Sequence, residues 1–303
     1  MVVSSTKISF SGGYTYEFKS KFETGEFAIL VEAEPPKGAD ISTMLAHAEP
    51  IKNQVDAFVV PEMSNAILRM SALGAALALQ NKGLETAMQI NCRDRNQLAL
   101  QADLLAAGAC GISNIIAVPG DDLKIGDHPQ AQAVNELSLV ELLEAAQGLQ
   151  QGKDLGGNPL SCAPSFLLGA TANAGANNEE LSQEISTSKE CIIAGAQFLI
   201  TPPLFDMASI EPYLQQIDRK TTKIIPTILL LKSAGMARYI KQTQNNIVIP
   251  DQVIDRIRKA NDKAKACTDI ARETLAAVKE AGFAGAMVST VGWEHKLSEI
   301  LAP

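Results

Sequence analysis

Apolar positions along this chain come in short dense runs, and polar positions separate them in stretches of helical spacing. The strand-length runs lie within residues 27–38, 55–61, 85–92, 111–122, 165–173, 197–206, 223–233 and 284–292. Most are bounded by Gly or Pro, as expected of parallel strands covered on both faces. Between them, residues 41–52, 64–83, 93–110, 138–152, 177–196 and 209–220 show helical periodicity. Residues 234–281 hold two or three further helices, and residues 293–303 a closing one. Asp40 is placed to cap the first helix and Gly83 to end the second. Eight strands, each followed by a helix, predict an α/β chain folded as a (β/α)8 TIM barrel rather than an open doubly wound sheet. The barrel is a single domain over residues 22–303. Residues 1–21 are polar with a loose strand pattern and are read as an N-terminal arm, either flexible or a short hairpin.

In such a barrel the chemistry sits at the C-terminal ends of the strands. Those ends carry Glu32 and Glu34, Glu62, Gln89 and Asn91, Asp121 and Asp122, Thr171 and Asn173, Thr201, Lys232 and Ser233, then Ser289 and Thr290. The strand starts carry little that compares. Of these residues, Glu34, Glu62, Thr201, Lys232 and Ser233 are the candidates for substrate contact. The first run, FAILVEAEPPKG, ends in two carboxylates before a double proline. Alternation places Glu32 and Glu34 on the face shared by Ala28 and Leu30. From the strand alone two readings stand: acids solvated at a strand end, or acids at the wall of a buried pocket, where burial disfavours their charge.

Composition narrows the functional classes. The 303 residues carry a net charge of -8, which argues against nucleic acid as a partner. The longest apolar stretches are strand-length or broken, so no membrane span is expected. No secretory leader is visible, and the five scattered cysteines form no C-x-x-C pair; both point to a cytoplasmic protein with reduced thiols. The three histidines show no metal-ligand spacing, and no metal is expected. Neither G-x-G-x-x-G after the first strand nor a P-loop is present.

Several stretches together resemble the methylenetetrahydrofolate reductase family: VEAEPPKG, INCRDRNQLALQADLLAAGACGISNIIAVPGDD, GDHPQA, GATANAGAN, AGAQFLITPPLFD and ILLLKSAGMARY. The resemblance runs from about residue 21 to the C-terminus and is closest to the short, barrel-only branch of anaerobic one-carbon metabolism. It implies a flavin barrel, with FAD or FMN, that reduces the methylene group of a reduced pterin, of tetrahydrofolate or tetrahydromethanopterin type, to a methyl group. By position, the resemblance makes Glu32 the catalytic glutamate and Asp121 the aspartate that tunes the flavin. It places Gln89 along the flavin, with Asn91, Gly120 and Asn173 as further neighbours. Asn135, Thr171 and the AGA segment that starts at Ala194, with Lys189 nearby, fall where the family holds the ribityl chain and phosphate.

The residue types suit that reaction. Opening the methylene bridge to an iminium needs a proton on the departing nitrogen, hence an acid still protonated near neutral pH. A carboxyl in an apolar setting with a second carboxyl two residues away meets that need. The chain departs from the family's pattern at Pro202, where a pterin-contacting glutamine is usual, at Glu34, where a small or aromatic residue is usual, and at Cys191, where a basic residue often touches the flavin phosphate. The electron donor is left open among NAD(P)H, ferredoxin, a deazaflavin and a partner electron-transfer subunit. Related barrels commonly associate, so a homo- or hetero-oligomer is expected. Two other functions remain compatible with the sequence: a non-redox barrel that binds a pterin or passes on its methyl group, and a catalytically silent subunit of a larger complex.

Overall fold

A computed structural model describes residues 17–176 and 178–302. Most of the expected N-terminal arm, residues 1–16, lies outside the described residues. The chain then runs α1 (Glu17–Thr24), β1 (Ala28–Glu32), α2 (Ser42–Ala48), β2 (Ala57–Val60), α3 (Ala72–Gln80), β3 (Thr86–Asn91), α4 (Gln97–Ala109), β4 (Asn114–Val118), α5 (Leu139–Gln150) and β5 (Leu167–Thr171). It continues with α6 (Asn178–Ile193), β6 (Phe198–Pro203), α7 (Glu211–Leu214), β7 (Lys223–Leu229), α8 (Ala234–Thr243), α9 (Asp251–Lys259), α10 (Lys263–Glu280), β8 (Gly285–Ser289) and α11 (Leu297–Leu301). The eight strands pair in sequence order, all parallel, and β8 returns to β1, so the (β/α)8 barrel is closed.

Strand alternation divides the core in two. Ala28, Leu30, Ala57, Val59, Ala87, Ile116, Phe198, Ile225 and Met287 fill the barrel. Val31, Phe58, Val60, Met88, Ile115, Leu199 and Val288 point outward against the helices. The filling is shaped around one ring. A Cβ on Gly169 would come within 2.3 Å of the Phe198 ring, so glycine here makes room for phenylalanine across the lumen.

The end of the barrel where the strands begin is stoppered by α1. Phe18 and Phe22 meet Phe198 edge to face, with ring centroids 5.4 and 6.0 Å away, and Phe18 is fully buried. Polar contacts fix this helix. Lys21 pairs with Asp56 at 2.8 Å, and the backbone N–H groups of Glu17 and Phe18 donate to Glu85. Residues 17–21, expected in an arm with strand pattern, are thus helical and packed into the barrel. The signal was hidden because α1 is short and only Phe18 is buried within it.

Other differences have local causes. The helix expected from residue 64 begins only at Ala72, where Ser71 caps it and accepts from the Gly74 N–H. Residues 63–66 instead turn tightly, with left-handed φ of 51° at Met63, 55° at Asn65 and 54° at Ala66. The helix expected over 41–52 ends as α-helix at Ala48, because Pro50 lacks an N–H, and continues as a 3₁₀ turn. Asp40 sits one position before the helix cap, yet its carboxylate still accepts from the Ser42 N–H. Over 209–220 only Glu211–Leu214 is α-helical. Pro202 and Pro203 in β6 coincide with a register shift against β7, since neither can donate to the ladder.

The stopper makes a testable demand. Phe18→Ala is expected to lower the unfolding free energy by about 3–5 kcal/mol, read as a lower denaturant midpoint with an unchanged slope.

Candidate functional site

The strand ends opposite the stopper form the mouth. Glu32, the last residue of β1, lies on the lumen face above Leu30. Its Oε1 accepts from the Ser289 hydroxyl at 2.9 Å, a bond across the seam where β8 meets β1. Burial pushes the Glu32 carboxyl up to about 7; the nearby Glu34 and Glu294 carboxylates add to this, while the Ser289 bond and Arg69 work against it. The buried-pocket reading of this carboxyl therefore prevails over the solvated one. Glu34 is half-buried, and its Oε1 lies 2.8 Å from Arg69 Nε. Its pKa is also raised, by burial first, against the pull of Arg69 and Lys232. Arg69 donates as well to the Pro35 carbonyl at 3.2 Å, so it ties the loop before α3 to the end of β1.

Glu294, just past β8, completes this cluster. Its Oε1 accepts from the Gly292 N–H at 2.8 Å and from the Thr290 hydroxyl at 3.4 Å, and its Oε2 lies 3.8 Å from His47 Nδ1 on α2. The turn that presents it is strained: Val291, a β-branched residue, has φ 48°. Lys232 reaches over the same turn, with its Nζ 3.4 Å from where a Gly292 side chain would begin. Glu32, Glu34, His47, Arg69 and Glu294 share one cavity of about 220 Å³, whose remaining walls are largely apolar.

A second cluster lies at the end of β4, three strands round the ring from β1. Gly120 takes φ 86° against the Arg93 side chain, so this turn requires a residue without Cβ. Arg93 donates to the Asp121 carbonyl at 2.7 Å, and the Asp121 carboxylate accepts from the Asn65 N–H at 2.6 Å. Asp121 thus holds the turn of residues 63–66. Gly120, Asp121, Arg93 and Asn135, whose φ is 45°, line a cavity of about 370 Å³.

The other expected residues divide. Gln89 and Thr171 stand part-exposed on the lumen face at the mouth. Gln89 accepts from the Glu62 N–H, and its amide NH2 has no partner among the described residues. Asn91 is fully buried and spends both amide groups on Asp94. Glu62 is buried too, with one oxygen on the first N–H of α3 and the other on Arg95. Asn91 and Glu62 therefore brace the strand ends. Asn173 accepts from Asn246 at 2.8 Å. Ser233 caps α8 through the Met236 N–H. Thr201 falls on the helix side of β6 with Leu199, away from the mouth. Lys189 is exposed in the last turns of α6, and Ala194 lies where the chain reverses at Gly195 into β6. That reversal is at the stoppered end of the barrel, so neither residue reaches the mouth.

Arg69, Arg93, His47 and Glu294 were not singled out as site residues from the sequence. Arg69 sat inside an expected helix, and His47 was weighed only as a metal ligand. Glu294 follows directly on the last strand and was findable by the rule that strand ends carry chemistry. Among the described residues no three His, Cys, Asp or Glu side chains gather to hold a metal ion, and no helix is long and apolar enough to cross a membrane.

Comparison with protein families matches residues 17–301 to methylenetetrahydrofolate reductase. A search of curated proteins returns no match. The family match takes in every strand of the barrel, the part-buried Glu32 and both clusters at the mouth. On that span the chain belongs to the methylenetetrahydrofolate reductase family.

Proposed function

We propose that this barrel reduces the methylene bridge of a 5,10-methylene-tetrahydropterin to the 5-methyl form using a bound flavin, with Glu32 as general acid. The observation that carries this reading is the Glu32 carboxyl, aimed into the mouth and raised to about 7. A carboxyl so placed keeps about half of its population protonated at neutral pH, where an ordinary carboxyl keeps almost none, and the opening of the bridge requires that acid form. Family membership supports the pterin and the oxidoreductase chemistry.

The residues at the mouth fit a flavin. Gln89 offers an amide NH2 with no partner among the described residues, Thr171 adds a hydroxyl, and the Gly120 turn leaves open space beside the Asp121 carboxylate. Bound there, a flavin supplies the hydride. Lys189 and Ala194 lie too far along α6 and its exit to hold the phosphate. This leaves Asn135, Asn173 and the neighbouring backbone for that end of the cofactor.

Each protein group has a task. Glu32 protonates the nitrogen that leaves the methylene carbon, and its bond from Ser289 fixes the carboxyl toward the lumen. Asp121, a carboxylate beside the flavin, disfavours negative charge on the reduced ring and so strengthens it as a donor. Glu34 and Arg69 screen one another beside the acid and add a polar wall for the pterin. The carrier, folate or methanopterin, and the electron donor among NAD(P)H, ferredoxin, a deazaflavin or a partner subunit belong to the same proposal. So do cytoplasmic location and assembly into an oligomer.

Purified protein is expected to be yellow and to release FAD or FMN on denaturation; protein that binds neither flavin but binds a tetrahydropterin would favour the non-redox alternative. Glu32→Gln should leave flavin reduction by the donor intact and slow methylene reduction by about 10²–10⁴-fold. The pH profile has a defined sign. Glu32 donates only when protonated, so methylene reduction is fastest below about 7 and declines as pH rises through that value. The Glu32→Gln variant loses that dependence. Asp121→Asn should raise the flavin midpoint potential, measured by dye-linked titration.

A further inference from the structure

Glu32 gives up one proton per turnover and must recover it. With the proposed flavin and pterin bound above it, Glu32 would meet ring systems and not water on the lumen side. The structure offers a second approach, from the helix side of β1. The 220 Å³ cavity that reaches Glu32 is walled by apolar side chains from β1, α2 and α11, and its polar members are few. His47 stands at its rim, 37% exposed, and Glu294 lies between it and the barrel. We propose that His47 and Glu294 form a proton relay that recharges Glu32 through this cavity. The proposal rests on the reading of Glu32 as the general acid.

The geometry supports each link. β8 ends in two hydroxyl residues that face opposite ways: Ser289 holds Glu32 on the lumen side, and Thr290 holds Glu294 on the helix side. Glu294 is held at one oxygen only, by Gly292 and Thr290, which leaves the other to His47. The strained Val291 turn gives it this pose, and strain in such a turn persists where the surroundings impose it. The cavity has volume for several water molecules at roughly 30 Å³ each, and its carboxylates and imidazole supply their hydrogen-bond partners.

The transfer balances proton by proton. A protonated His47 gives its Nδ1 proton to the Glu294 carboxylate and becomes neutral imidazole. The Glu294 acid passes a proton through cavity water to the Glu32 carboxylate and returns to its charged form. His47 then takes a proton from bulk solvent at its exposed edge. The groups facing Glu32 set the balance. Glu34 and Glu294 raise its affinity for the proton, Arg69 lowers it, and Ser289 donates to it. Lys232 faces Glu34 and tempers that carboxylate in turn.

The test follows the proton directly and does not require turnover. A pH jump on the purified flavin-loaded protein with a 5-methyl-tetrahydropterin filling the mouth, followed by time-resolved infrared absorption, reads the rate at which the Glu32 carboxyl protonates; the Glu32→Gln variant identifies its band. In His47→Gln and in Glu294→Gln this rate should fall by about tenfold or more, and added imidazole should restore it in His47→Gln. Steady-state methylene reduction should fall in both variants and recover with imidazole in His47→Gln alone, while flavin reduction by the donor is unchanged. Unaltered protonation rates in both variants, or a loss that imidazole does not restore in His47→Gln, would overturn the relay. A wild-type protein with fast, variant-sensitive protonation of Glu32 but no methylene reduction would leave the relay standing and sink the proposed reaction instead.

Discussion

The seam between β8 and β1 is the constraint on which the site depends. Beside the backbone ladder, a side-chain hydrogen bond crosses it from Ser289 to Glu32, between residues 257 positions apart. Until the barrel closes, Glu32 is an ordinary strand-end acid. Closure seats it in an apolar wall beside two further carboxylates, and that setting holds the proton near neutral pH. The raised pKa belongs to the closed ring of strands and not to the strand that carries the residue. The same closure brings Thr290 and the Val291 turn to the helix side of β1, so the acid and the route behind it are products of one junction.

The two halves of the mouth are held differently. On the β1 side the working groups are carboxylates balanced by Arg69 and Lys232, a cluster whose charges face one another across short loops. On the β4 side the backbone does more of the work. Gly120 gives Arg93 room, Arg93 grips the Asp121 carbonyl, and Asp121 grips the Asn65 N–H. Buried polar residues that the sequence offers as substrate and cofactor contacts, Glu62 and Asn91, are spent on holding helix starts and loops in place. The proposed reaction would need such bracing, because a small displacement of the acid from the departing nitrogen loses much of the rate.

The barrel and its acid were legible in the sequence because they rest on local signals. Short apolar runs between helical stretches mark the eight units, and alternation alone places Glu32 on the face of Leu30. Other features rest on contacts that no local pattern carries. Helix α1 is read as an arm until Phe198 is known to await Phe18. Arg69 looks like a helix residue until the turn at 63–66 is seen to be pinned by Asp121. Thr201, Lys189 and Ala194 show the opposite error. Each lies close in sequence to a strand end or a family motif, but strand parity or position along α6 turns it away from the mouth.

The seam also bears on how the chain survives its own synthesis. β1 emerges from the ribosome among the first elements, and the strand that must cover its free edge is the last, Gly285–Ser289. For most of translation β1 is an apolar edge open to mispairing with other chains. Its last residue, Glu32, and Glu34 just beyond it are exposed acids during that interval, with the ordinary carboxylate pKa of about 4.3, and are therefore negatively charged in the cell. Charges at the end of a hydrophobic strand act as gatekeepers against aggregation. The carboxyl proposed as a proton donor in the finished barrel is thus a charged guard on the nascent one, and its setting changes when Ser289 arrives.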